Sequence, residues 1–126
     1  MSNHPHLTPR QKAREIAFQF LYRFDQEKQT YLNSDQIEKE YQKHAEHFGE
    51  FKLSDEFALR LIQTTLRELP VIDQTITTIA QNWKWERIGA VDKAFLRIGA
   101  AELLFFKEVP ASVTLNEIIE LSKTFG

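Results

Sequence analysis

NWKWERIGAVDKAFLRIGAAELLFF, residues 82–106, decides the fold class of this 126-residue chain. Its second half is apolar almost all round a helix. Val91, Ala94, Phe95, Ile98 and Phe105 follow one helical stripe, and Leu96, Gly99, Leu103 and Phe106 follow another. Asp92, Lys93, Arg97 and Glu102 interrupt them. A helix that is apolar on most sides is the buried centre of a domain, so the other helices are expected to wrap around this one. Residues 82–89 form the link into it, with Trp83 and Trp85 packed over its ends.

The flanking segments read as helices too. Residues 1–8 form a flexible lead, and Thr8 or Pro9 opens the first helix. From 10 to about 26 the apolar residues Ala13, Ile16, Ala17, Phe20, Leu21 and Phe24 keep the spacing of one helix face. Phe18 and Tyr22 form a second pair outside that stripe. After a polar connector, a charged and weakly amphipathic helix starts near Asn33-Ser34 and carries Ile37, Tyr41, Ala45 and Phe48. Ser54 begins a helix whose apolar face is Phe57, Ala58, Leu61, Ile62, Leu66 and Leu69. Pro70 separates it from a helix over 71–83, with Ile72, Ile76, Ile79, Ala80 and Trp83 on one face. Three threonines there lower helix propensity, so packing must fix it. A last helix runs from Val113 to Phe125, capped by Ser112 and stopped by Gly126. Leu115, Ile118, Ile119, Ser122 and Phe125 are expected inward or bordering. No run of period two reads as a strand, and the fold class is all-α, a single domain over 1–126.

At 42% apolar and 27% charged, the composition is that of a globular protein. No apolar stretch is long enough to span a membrane, and the N-terminus lacks a signal peptide's apolar core, which points to the cytoplasm. The absence of cysteine excludes disulfides, thiolate metal sites and a cysteine nucleophile within this chain. His44 and His47 are spaced for one helix face, but two histidines with no third ligand do not make a metal site. There is no phosphate loop, dinucleotide motif or serine elbow, and the residues assemble no catalytic site or cofactor site. The net charge of −2 hides an asymmetry. Arg10, Lys12, Arg14 and Arg23 face Glu15 alone within residues 1–24, whereas residues 34–56 hold seven acids and three bases. A basic helix on an acidic chain is either a solvated face or a phosphate-contacting surface. Arg10 and Arg14 lie one turn apart, and their forked heads suit neighbouring phosphates.

Three blocks of the sequence resemble the NusB family of bacterial transcription antitermination factors. The first is RQKARE (10–15) leading into AFQFLY (17–22). The second is WKWERI (83–88), VDKAFLRI (91–98) and AEL (101–103). The third is VP (109–110) with Val113, then NE (116–117) and IELSKTFG (119–126). The resemblance implies a bundle of about six helices in two packed sub-bundles. It implies a non-enzymatic protein that binds boxA RNA together with NusE, a ribosomal protein, on elongating RNA polymerase. By position, Arg10 and Arg14 match the RNA-contacting basic helix, and Lys12 lies on the same helix. Gln11 stands where an arginine is usual. Glu86, Arg97 and Phe125 match places on the RNA side, with Phe125 suited to stacking on a base. Tyr22 and Asp92 match places on the NusE side.

Family members continue past F-G into a loop and a final helix, whereas this sequence ends at Gly126. An open apolar groove is expected where that helix would lie, and a self-associated form would fill it. Two other readings fit parts of the pattern. One is the NusB-like amino-terminal domain of an rRNA cytosine methyltransferase. The other is a helical protein-interaction module without RNA binding.

Overall fold

The computed structural model describes residues 8–26, 34–48, 54–82 and 84–125, with no side-chain account of residues 34, 35, 44–48, 54 and 55. The expected flexible lead (Thr8 apart), Trp83, the stop at Gly126 and the side chains of Ala45, Phe48, Ser54 and the pair His44 and His47 lie outside the described residues. Among the described residues there are six α-helices and one 3-10 turn, and no strand. The helices are α1 (Pro9–Gln26), α2 (Ser34–Phe48), α3 (Ser54–Arg67), α4 (Leu69–Ile79), α5 (Ala90–Phe105) and α6 (Ala111–Phe125). The 3-10 turn is Trp85–Arg87. No described helix is long and apolar enough to cross a membrane. The chain divides into two compact units, Met1–Gln63 and Thr64–Gly126.

In the first unit, α1 opens on a reciprocal cap. The Thr8 N–H donates to Gln11 Oε1 at 2.9 Å, and the Gln11 N–H donates to Thr8 Oγ1 at 3.2 Å. Pro9 sits between them at the first helical position, where a missing N–H goes unnoticed. Two otherwise orphaned donors are thereby satisfied. Gln11 has this local task. The helix then buries Ala13, Arg14, Glu15, Ile16, Ala17, Phe18, Phe20 and Leu21. That set exceeds one stripe: Phe18, outside the main stripe, is buried, and Phe24, expected on it, is half-buried. α1 packs on α2, whose Ile37 and Tyr41 are buried one turn apart. Among the described residues, Phe57, Ala58, Leu61 and Ile62 of α3 supply the rest of the unit's buried apolar side chains. Phe57, Leu61 and Ile62 each contribute roughly 1.5–3 kcal/mol on leaving water, and Ala58 less.

In the second unit, α5 packs against both α4 and α6. Its enclosed face is Ala94, Phe95, Ile98, Ala101 and Glu102. The expectation of a helix buried on most sides fails at its end, where Leu103, Leu104 and Phe105 are exposed and only Phe106 turns inward. α4 buries Ile72 and Ile76, but Ile79 is 79% exposed. α4 stops at Ile79, where the Ala80 N–H closes on the Ile76 carbonyl. Thr75 and Thr77 bond back to the Val71 and Gln74 carbonyls, at 2.8 and 3.0 Å, which settles their hydroxyls without burying them.

α6 is rotated from its expected register. Thr114 and Leu121 are buried, while Leu115 and Ile119, expected inward or bordering, are each 52% exposed. The Thr114 hydroxyl donates to Glu102 Oε1 at 2.9 Å, and each residue is 1% exposed. A buried carboxyl group demands a partner, and meeting that demand points the 114 side of α6 at α5. Near mid-helix, Gly99 faces α6: a methyl group there would lie 3.6 Å from Ile118 Cγ1, an ordinary contact that the packing could accept. Leu103, Leu104 and Phe105 of α5 and Val113, Leu115 and Ile119 of α6 are exposed apolar side chains.

Candidate nucleic-acid and partner interface

The first unit carries the basic helix. The guanidinium of Arg10 lies over the ring of Phe57, 4.0 Å from its centroid, and that of Arg14 lies 5.5 Å from the same centroid. Arg10 is exposed, Lys12 half-buried and Arg14 only 2% exposed. One ring on α3 therefore organises two cations of α1, and the pair is unequal. Arg10 is the one open to solvent, and Arg14 is an interior residue with contacts of its own. A cation held on an aromatic face is attracted by the ring's negative quadrupole, so both charges are held where the sequence spacing alone leaves them loose. Tyr22 is half-buried on the same helix, its ring tilted against Phe18 with centroids 6.2 Å apart.

The second unit holds Glu86, Asp92, Arg97 and Phe125. Glu86 is exposed on the 85–87 turn, Asp92 is exposed in the first turn of α5, and Phe125 is half-buried at the end of α6. An acid in the first turn is favoured by the positive end of the helix dipole. The helix has no side-chain cap at Gly89. Arg97 is tied down: its Nε and Nη2 donate to Asp73 Oδ1 and Oδ2 of α4, each at 2.9 Å. Only 12% of the Arg97 side chain is exposed. Its guanidinium lies 5.2 Å from the Trp85 ring centroid, and Lys93 Nζ lies 4.8 Å from the same centroid. Beside this cluster is a cleft of about 690 Å³, walled by Phe95, Leu96, Ile88 and Ile118 and rimmed by Lys84, Arg87 and Asp92. Among the described residues no group of three His, Asp or Glu side chains could hold a metal ion.

The structure thus brings Arg10 and Arg14 together, and it ties Arg97 into a cluster that the spacing did not announce. Phe57, Asp73, Trp85 and Lys93 are the organising residues that sequence reasoning passes over. Phe57 reads as core, and it is buried at 7% exposure while also receiving two cations. Asp73 lies 24 positions before Arg97. No local period marks such a pair, although an acid on an otherwise apolar and threonine-rich helix is the signal that could have found it.

The family model for NusB matches residues 11–126. The transcription antitermination protein NusB of Bacillus licheniformis is 38% identical over 117 residues, covering 93% of this chain and 83% of the relative. That of Pelotomaculum thermopropionicum is 34% identical over 117 residues, covering 93% of this chain and 77% of the relative. Among solved structures, T. maritima NusB superposes with a TM-score of 0.79 at 29% identity, over 94% of this chain and 80% of that one. A structure of the antitermination factors NusB and NusE in complex with double-stranded RNA superposes with a TM-score of 0.77 at 28% identity, over 94% of this chain and 83% of its own. With the three sequence blocks, the helix order and these likenesses agreeing along almost its whole length, the chain belongs to the NusB family.

Proposed function

We propose that this chain is a transcription antitermination factor that binds boxA RNA together with the ribosomal protein NusE on elongating RNA polymerase in the bacterial cytoplasm, without catalysing a reaction. The observation that carries the reading is the family match over residues 11–126, with relatives that are antitermination proteins and a structural neighbour that holds NusE and RNA. On the chain itself, the reading is supported by an exposed arginine at the start of α1, seated on an aromatic ring. Arg10 and Lys12 supply the phosphate contacts. Arg14 shares the Phe57 ring beneath them, Glu86, Arg97 and Phe125 form the RNA side of the second unit, and Tyr22 and Asp92 face NusE. Phosphate contacts release counterions, so affinity falls as salt rises.

A titration of boxA RNA and a scrambled RNA of equal length, each with and without NusE, tests the reading. Tighter binding of boxA, strengthened by NusE, is the expected result. Equal affinity for both RNAs in both conditions overturns it. Self-association through the exposed apolar side chains of α5 and α6 also belongs to the proposal, and sedimentation at rising concentration tests that part: a monomer throughout removes it.

A further inference from the structure

The 85–87 turn is a weak element that presents charged groups. Its backbone closes through the Arg87 N–H on the Lys84 carbonyl at 2.9 Å and the Ile88 N–H on the Trp85 carbonyl at 3.2 Å. No side chain caps its N-terminal end, and none of its residues is fully buried. Lys84, Glu86 and Arg87 are all exposed, and Trp85 between them is half-buried. The aim of three charged side chains therefore depends on where the Trp85 ring is seated. That ring sits against Lys93 and Arg97 of α5. Lysine is a mobile point charge on a flexible stem, whereas the planar fork of arginine can be locked. Arg97 is locked, by both oxygens of Asp73 from α4.

We propose that Asp73 is a positioning residue for the 84–87 segment: through the fork on Arg97 it seats the Trp85 ring, and so sets the direction of Lys84, Glu86 and Arg87 toward the ligand. The ligand is single-stranded RNA, and in this the inference rests on the function proposed above. Arg97 then acts through Trp85. Its guanidinium is occupied by a carboxylate and mostly buried, which leaves it poorly placed to neutralise a phosphate.

The two roles for Arg97 separate by salt dependence. For single strands the log–log salt slope falls by about 0.7 for each phosphate that the protein no longer neutralises. If Arg97 positions, Asp73→Asn and Arg97→Gln each weaken boxA binding by about three- to tenfold, and the double variant is no weaker than either, because residues of one network do not add. Arg97→Lys, which keeps the charge but loses the fork, behaves like Arg97→Gln in both affinity and salt slope. Titrations are run well below each variant's melting temperature, so a loss of fold does not enter them. Unchanged or tighter binding by Asp73→Asn, or a slope lowered by about 0.7 in Arg97→Gln and restored in Arg97→Lys, overturns the inference.

A readout without RNA keeps it apart from the functional reading. The indole N–H resonance of Trp85, assigned as the one that disappears in Trp85→Phe, is expected to shift and broaden in Asp73→Asn. If that resonance is unmoved the clamp is refuted, whatever the RNA does. If wild-type protein binds no RNA while the resonance moves, the functional reading falls, and with it the role in aiming the segment at RNA, while the seating of Trp85 by Asp73 is upheld.

Discussion

Replacing Thr114 by valine is a near-isosteric change that leaves no cavity and removes one hydroxyl. That hydroxyl donates to Glu102 Oε1 at 2.9 Å, at a place where both residues are 1% exposed. Leaving a buried polar group without its partner costs about 1–3 kcal/mol. Glu102 has contacts besides this one, so the expected loss is the lower part of that range, about 1–2 kcal/mol. For 126 residues the unfolding entropy is about 0.26 kcal/mol per K. The melting temperature should then drop by about 4–8 °C. Urea denaturation followed by far-UV circular dichroism checks the free energy, with the slope against denaturant unchanged if only stability has moved. Glu102→Leu alone should also destabilise, because it strands the Thr114 hydroxyl. The double variant Glu102→Leu/Thr114→Val should recover part of the sum, since removing both partners is far less costly than removing one. A Thr114→Val protein within about 0.5 kcal/mol of wild type, the ordinary range for a surface change, would refute the view that this bond sets the register of α6. So would a double variant as unstable as the two singles added together.

Thr8→Ala removes half of the reciprocal cap and should cost about 1 kcal/mol, read as a lower urea midpoint. A midpoint equal to wild type would mean that water caps α1 as well as Thr8 does. Leu61→Ala, at a site with 0% exposure, should lose about 2–5 kcal/mol. Ile119→Ala, at 52% exposure on α6, should stay within about 0.5 kcal/mol; equal losses at the two positions would overturn the register of α6. Arg10→Glu should weaken boxA binding and flatten its salt dependence, and an unchanged titration would move the phosphate contacts away from α1.

The helices were legible because a 3.6-residue apolar period survives in every one of them, and Pro9, Pro70 and Pro110 punctuate the chain where helices begin. Register was legible only where the apolar pattern and the polar demands agree. In α1 they agree over Ala13, Ile16, Ala17, Phe20 and Leu21, all buried. In α6 they conflict. Leu115 and Ile119 outrank Thr114 on any hydropathy scale, yet Thr114 is inside because a carboxyl group twelve positions earlier needs its hydroxyl. Nothing within one helix turn records that need. The same holds for the candidate interface: Arg10 and Arg14 are visible as a pair by spacing, but the ring that holds them belongs to α3, and the acid that holds Arg97 belongs to α4. The cap at Thr8 is different. T-P-R-Q carries the capping signal openly.

The seat of Arg10 on Phe57 has a consequence for how quickly and tightly a strand can be caught. A free arginine side chain carries about 2 kcal/mol of rotamer entropy, most of which disappears when its head is fixed against a phosphate. Here part of that freedom is already gone before any ligand arrives, because the guanidinium rests on a ring that is itself buried within α3. Phe57→Leu, which keeps the apolar fill, would return that freedom to Arg10 without touching its charge. Its mark would be a faster release of bound RNA at an unaltered salt slope, as expected when preorganisation is lost and charge is kept.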